Sequence, residues 1–401
     1  MKRYSIPLLV VIFLLASLFS IKTADADNLF SVYGILDSGL SYQKNSSSAD
    51  GYVPSGSHAG VASGGQSTDR IGFKGTEDLG HGAQLNFVLE NGFNIGNGTS
   101  AQSNKAFGRQ SWLGLQTQSL GYVRFGRQTN FAYDYLSELT PFSGGDFTRA
   151  KMGSSFAAGG TERLSNTIKL ETISMSGLKL GLGYSFAAEL GSVYKSLNGD
   201  FSFTQGDTKA YNYEAVNNLR ALTTGAQYKN GPLYLTLTGD VLMPNVGTAN
   251  GDYRNITSWT MGGYYDFNAV KVALTYGQIK NGWINPLQPL ADLLPNTSLD
   301  IKNGFVIFDE NVELNSYTLA ITAAMSENSS IFSDLRIVQP SDRMREHSTI
   351  NSALQTSLSL GYTYKFSKTL NLYAYGSYTN GYATIDGLRS MALGLGLRKI
   401  F

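Results

Sequence analysis

Three histidines, no cysteine and a scatter of carboxylates are what this 401-residue sequence offers for catalysis. They assemble into no reactive constellation. His58 and His347 fall in stretches that read as loops, and His81 falls at a turn. None belongs to an H-E-x-x-H pair, and no G-x-S-x-G turn supplies a nucleophile for a base to activate. Without cysteine there is no disulfide, thiolate metal site or thiol nucleophile. The 45 glycines include no G-x-G-x-x-G opening a helix. With 31 basic and 30 acidic residues, a nucleic-acid partner has no electrostatic footprint. No catalytic residue, metal, cofactor or nucleic acid is therefore expected. The chemistry that remains is electrostatic. Arg70 and Lys74 share one parity with Gly72, while Ile71 and Phe73 take the other. Charges presented on a wetted wall sort ions without reacting with them.

A wall able to carry such charges is visible in the pattern. Leu178, Leu180, Leu182, Tyr184 and Phe186 alternate with Lys179, Gly181, Gly183 and Ser185. Val270, Val272, Leu274 and Tyr276 alternate with Lys271, Ala273 and Thr275. Period-two alternation is the strand signal. A soluble sandwich would pack its bulky face inside and charge its outer one. Here the bulky faces end in Tyr or Phe, as a lipid-facing band with an aromatic girdle requires, and the small polar faces suit a wet lumen.

Sixteen segments follow this pattern: 30–42, 68–76, 81–93, 105–116, 120–129, 162–173, 177–188, 219–228, 231–240, 256–267, 269–280, 313–325, 330–339, 352–366, 369–380 and 388–401. Their connections alternate between short turns and long loops. The long ones are 43–67, 94–104, 130–161, 189–218, 241–255, 281–312 and 340–351, with a shorter one at 381–387. An even strand count with short turns on one rim is the pattern of an outer-membrane barrel, both termini lying on the short-turn, periplasmic side. The expected fold is all-β, a 16-stranded antiparallel transmembrane β-barrel. Eight strands fill with side chains, whereas about sixteen leave an aqueous channel. No composition break divides residues 27–401, which read as one barrel domain.

The first 26 residues read as an export signal. Lys2 and Arg3 precede an apolar core over 6–19, and Ala24-Asp25-Ala26 fits a small-x-small cleavage site. That core is short for a spanning helix of about 20 residues. Cleavage removes Lys2, Arg3, Lys22 and Asp25, so 31 basic less three and 30 acidic less one leave 28 against 29.

Particular segments carry a family likeness. They are Val32-Tyr33-Gly34-Ile35-Leu36-Asp37-Ser38-Gly39, Arg70-Ile71-Gly72-Phe73-Lys74-Gly75-Thr76-Glu77-Asp78-Leu79-Gly80, Leu89-Glu90-Asn91-Gly92-Phe93, Phe107-Gly108-Arg109-Gln110-Ser111-Trp112-Leu113-Gly114-Leu115, Phe125-Gly126-Arg127-Gln128 and the terminal Gly396-Leu397-Arg398-Lys399-Ile400-Phe401. Together they resemble the Gram-negative general porin family, in particular its β-proteobacterial and neisserial branch. The likeness is dense over 30–175 and at the C-terminus.

The resemblance implies a general diffusion porin of the cell outer membrane, passing ions and small hydrophilic solutes passively through a water-filled lumen. It also implies a homotrimer in outer-membrane lipid and a third long loop, 130–161, folded into the barrel. Arg70, Arg109 and Arg163 match the family's basic wall positions at the constriction, with Lys74 and Arg124 as further wall charges. Loop carboxylates Asp134, Glu138 and Asp146 would face them, and Glu90 matches another lumen-facing acid. Relatives usually place an acid beside the loop's proline; here Phe142 follows Pro141, which implies a weaker field across the pore. Phe401 resembles the terminal aromatic read by the barrel-assembly machinery.

Other readings stay open. The three arginines could be ordinary solvated wall residues, and Glu138 and Asp146 could be loop-surface carboxylates. Arg127 shares the parity of Val123 and Phe125, which suits a strand end or a subunit contact. A channel specific for a sugar or a small organic anion is the nearest rival function; a sugar channel would line its lumen with aromatic rings. Tyr234, Tyr373 and Tyr375 have inward parity but form no continuous ladder. An adhesin or receptor role would rest on loops 189–218 and 281–312.

Overall fold

The structure, a computed structural model, describes residues 29–48, 56–102, 105–142, 163–189, 192–197, 200–204, 219–243, 254–284, 305–347 and 352–401. Residues 1–28, with the expected signal, lie outside that set, as does most of the third long loop including Asp146.

Strands in chain order are β1 (Leu29–Ser47), β2 (Gly56–Ser63), β3 (Arg70–Gly80), β4 (Ala83–Gly92), β5 (Gln110–Thr117), β6 (Gly121–Thr129), β7 (Arg163–Glu171), β8 (Leu178–Ser185), β9 (Ser192–Leu197), β10 (Asp200–Thr204), β11 (Arg220–Asn230), β12 (Leu233–Met243), β13 (Ile256–Asp266), β14 (Val270–Ile284), β15 (Phe305–Ala324), β16 (Ser329–Pro340), β17 (Gln355–Ser367), β18 (Leu370–Asn380) and β19 (Leu388–Ile400). Two short helices, α1 (Phe131–Leu136) and α2 (Asp342–His347), complete the main elements.

Both β2 and β3 pair antiparallel with β1, so they form successive halves of one wall strand. The β9–β10 hairpin adds no strand to the wall's circuit; β9 pairs in parallel with the first residues of β15. The remaining elements make a wall of sixteen antiparallel strands, closed where β1 meets β19 from Ile35↔Ile400 to Ser47↔Leu388. Closure satisfies the backbone groups that an open edge would leave unpaired in lipid. Phe401 completes the seam: its carbonyl accepts from Gly34 N–H at 3.0 Å and its own N–H donates to Gly34 at 3.1 Å.

Side-chain alternation sorts the two faces as the sequence predicts. Leu180, Leu274, Leu360 and Leu395 are exposed on the outside, whereas Thr275 is buried against the inner wall. At the short-turn rim, Tyr265 packs on Phe267 and Tyr364 on Phe366, with Phe30 and Phe401 also exposed there. These rings supply the interfacial girdle.

The structure corrects the sequence in four of the expected loops: 189–218 carries the β9–β10 hairpin, 340–351 carries α2 with His347 at its end, and two more are partly strand. Residues 43–67 are not simply a loop. β1 continues to Ser47 and β2 returns beside it, which puts His58 on a strand opposite Gln43. Likewise 281–312 is shortened from both sides. β14 continues through a bulge between Lys280 and Gly282, with Asn281 at φ 64°, and β15 begins at Phe305. Both extensions lie toward the long-loop rim, where no lipid imposes an alternating pattern.

Candidate functional site

The site begins where β6 ends. Asn130 caps α1 by accepting Tyr133 N–H at 3.0 Å, and Phe131 N–H donates to Thr223 Oγ1 on β11 at 3.0 Å. The helix then lies along the inner wall of β11 and β12. Two glycines make room for it. A Cβ on Gly181 would sit 2.2 Å from the Phe131 ring, and one on Gly225 would sit 2.6 Å from Tyr135. Tyr234 donates to Tyr135 O at 2.6 Å, and Leu136 and Leu139 are buried in the same cluster. Further on, Thr140 Oγ1 donates to Asp334 Oδ2 at 2.7 Å, and Phe142 packs on Phe332 at 5.4 Å between centroids. Residues 130–142 are thus fastened to the lumen wall from β11 to β16.

A water-accessible cavity of about 460 Å³ lies between this segment and the opposite wall. Arg70, Arg109, Arg124 and Arg163 line it from the wall, and Tyr133, Asp134 and Glu138 from the loop. The structure therefore brings together four of the five basic wall residues and two of the acidic ones singled out in the sequence. Lys74 lies further toward the short-turn rim, on the parity of Arg70.

Pairing within the site is uneven. Arg109 and Glu90 are both buried and joined at 2.6 Å, and Tyr33 donates to the second Glu90 oxygen at 2.9 Å. Glu90 is thus a neutralising partner of one arginine. Asp134 is bound by Lys169 and by Thr129 Oγ1, the latter at 2.6 Å. Glu138 turns to the far wall, 3.1 Å from Lys229, with Tyr264 at 3.4 Å. Glu171, at the edge of the cavity, takes the Tyr122 hydroxyl and lies 3.5 Å from Lys179. Each of these carboxylates has its own cation, and the expected face-to-face opposition of Glu138 with the arginines is replaced by pairing to lysines.

Among the described residues, no carboxylate oxygen lies within 4.0 Å of Arg70, Arg124 or Arg163. Arg70 Nε donates to Thr68 O at 3.0 Å. Arg124 stacks over Tyr122 at 3.7 Å and Trp112 at 4.4 Å, and Arg163 sits 5.2 Å from the Tyr133 ring centre. Arg127 lies at the upper end of β6 beside a bulge, donating to Gly108 O and Ser165 Oγ.

Several contributors were not singled out from the sequence. Lys169 is buried and holds the loop through Asp134, and Arg336 is fully buried beside Asp334 beneath Phe142. Their inward parity was readable, but not the loop path that gives them partners. Asp37 is another. Its carboxylate accepts the amides of Gly65, Gln66 and Ser67 and the Tyr373 hydroxyl, fixing an inward turn between β2 and β3 that leads directly into Arg70. Tyr234, Tyr373 and Tyr375 are all buried, so they offer a passing sugar no aromatic slide.

Comparison with known proteins agrees with this architecture. The family described as Gram-negative porin matches residues 14–384. An outer membrane porin protein of Bordetella pertussis is 37% identical over 393 residues, covering 94% of this chain and 96% of its own length. Outer membrane porin protein 32 of Delftia acidovorans is 28% identical over 274 residues, 66% of this chain and 68% of its own. Among solved structures, an anion-selective porin from Comamonas acidovorans superposes with a TM-score of 0.65 at 21% identity, over 94% of this chain and all of that one. OmpF of Salmonella typhi does so with a TM-score of 0.59 at 16% identity, over 93% and 98%. A closed barrel of sixteen strands, a charged aqueous lumen and a family match over nearly the whole length place this chain in the Gram-negative porin family, as a general diffusion porin of the outer membrane.

Proposed function

We propose that this porin favours anions over cations at a constriction formed by the Arg70, Arg109, Arg124 and Arg163 wall and the 130–142 segment. The observation that carries the reading is the asymmetry of pairing. Asp134, Glu138 and Glu171 each have a lysine, and Glu90 has Arg109, whereas Arg70, Arg124 and Arg163 have no carboxylate within 4.0 Å among the described residues. In a wet pore such guanidiniums stay charged and raise the local concentration of anions. The described part of the loop narrows the lumen by lying against the wall; Asp146 lies outside the described residues.

The same reading takes the protein to be exported by a cleaved signal over residues 1–26, inserted by the barrel-assembly machinery through Phe401, and assembled as a homotrimer. It involves no catalytic step. A planar-bilayer reversal potential under a tenfold KCl gradient tests the preference: the sign expected is that of chloride, and the potassium sign rejects it. Liposome swelling with sugars of graded size separates a general pore from a specific one. Rates should fall smoothly with solute size, and one sugar entering far faster than others of its size would favour the specific channel.

A further inference from the structure

A second cavity, of about 440 Å³, lies on the lumen wall between the constriction and the short-turn rim. Its walls differ in character from the arginine site. Leu29, Val88 and Trp112 give it an apolar floor, and Tyr122 and Arg124 belong to both cavities, so the two adjoin. Two cations flank the floor. Lys74 Nζ lies 5.3 Å from the Tyr33 ring centre, and Arg124 stacks on Trp112 and Tyr122. No carboxylate lies within 4.0 Å of either among the described residues. Trp112 is itself oriented, since its indole N–H donates to Gln110 Oε1 at 2.8 Å.

We infer that this cavity is a binding subsite for small organic carboxylates with an apolar body, aromatic acids above all. The carboxylate would lie between Lys74 and Arg124, and the apolar body on Trp112 and Val88. Both ends matter. A small hydrated anion gains only from the charges, and a neutral aromatic only from the floor. The volume suits one small molecule, and ring contacts of this kind change affinity severalfold. The site lies just past the arginines, so an acid leaving the constriction would pause there before release to the periplasm. The inference rests on the channel reading but not on its ion preference.

Benzoate is a direct probe. Chloride current through single pores is recorded with benzoate, acetate or benzyl alcohol added to both sides. Benzoate should block at millimolar concentration, with acetate and benzyl alcohol at least fivefold weaker. Trp112→Ala and Lys74→Gln should each raise the half-blocking benzoate concentration about fivefold; the acetate response should stay as in the parent in Trp112→Ala and weaken in Lys74→Gln. Heat-modifiable gel migration confirms that each variant is a folded barrel, and two variants at separate positions guard against loss of either. Equal block by benzoate and acetate overturns the proposal, as does benzoate block unaltered in both variants. A parent pore with the potassium sign of reversal potential but Trp112-dependent benzoate block would leave this site standing and remove only the anion preference.

Discussion

Replacing Asp37 by Ala should loosen residues 65–67 from the wall while leaving the barrel closed. In the parent, the carboxylate accepts three backbone amides at 3.1, 3.0 and 2.6 Å and the Tyr373 hydroxyl at 2.6 Å. Hydrogen bonds to a charged group contribute about 1.5–3 kcal/mol each. Four of them would amount to about 6 kcal/mol or more in a dry interior. This turn borders a water-filled lumen, and water would restore roughly half of that, leaving about 3 kcal/mol for the latch. The Gly64 amide still donates to Asp37 O, and the β1–β19 seam does not involve the side chain. The chain has no cysteine, so Ser67→Cys, at a position 1% exposed, becomes a unique reporter. Labelling by a membrane-impermeant thiol reagent should be slow in that background and roughly a hundredfold faster when Asp37→Ala is added. Because Arg70 is held through Thr68 in the same turn, open-channel current noise should rise as well. Labelling within threefold of the parent would refute the latch.

Phe142→Ala should loosen the far anchor of the loop, since Phe142 packs between Phe332 and Arg336; brief current fluctuations should become frequent, and a trace as quiet as the parent's would count against the anchoring. At the outer rim, Glu189 accepts from Lys105 at 2.7 Å and from Ser165 at 2.8 Å. Burial raises its pKa, but these bonds and the nearby cations outweigh that and hold it below the usual 4.5. The folded-state value being depressed, the clamp is fully present above pH 4.5 and is lost as pH falls below it. Amide protection factors around 186–189, taken relative to the intrinsic exchange rate at each pH, should fall there in the parent but stay constant over that range in Glu189→Gln. Deleting Phe401 should lower surface levels more than it lowers the melting temperature of purified barrels; normal surface levels would dissociate the terminal aromatic from assembly.

Most of the wall was legible because lipid on one side and water on the other enforce alternation, as along Leu178–Ser185 and Val270–Tyr276. Legibility fails where that constraint stops. Gly56–Ser63 is mostly small residues, and even Val61 is 71% exposed, so β2 left no periodic trace. Arg70, Arg109 and Arg163 were expected on the lumen wall from the family likeness, with parity supporting Arg70 alone, and the three line one cavity. Their partners were not legible. The partner of Glu138, Lys229, lies 91 residues away, and it comes within reach because Gly181 and Gly225 let α1 lie close against that part of the wall. Such a path depends on side-chain volumes across several strands at once, which no local pattern encodes.

Arg70, Arg124 and Arg163, with no carboxylate within 4.0 Å among the described residues, are proposed to set the charge preference of the pore. A permeating anion about 5 Å from one of them gains about 0.8 kcal/mol in a water-like medium, and three together about 2.5 kcal/mol before salt screening. Arg109 is best left in place, because removing it would strand the buried Glu90 carboxylate. The decisive measurement is the reversal potential of the Arg70→Ser, Arg124→Ser, Arg163→Ser triple variant beside the parent under the same KCl gradient, with an intact barrel confirmed by gel migration. The expected result is a shift toward potassium equivalent to about a tenfold change in the permeability ratio, together with a larger conductance. An intact barrel with an unchanged reversal potential would contradict it.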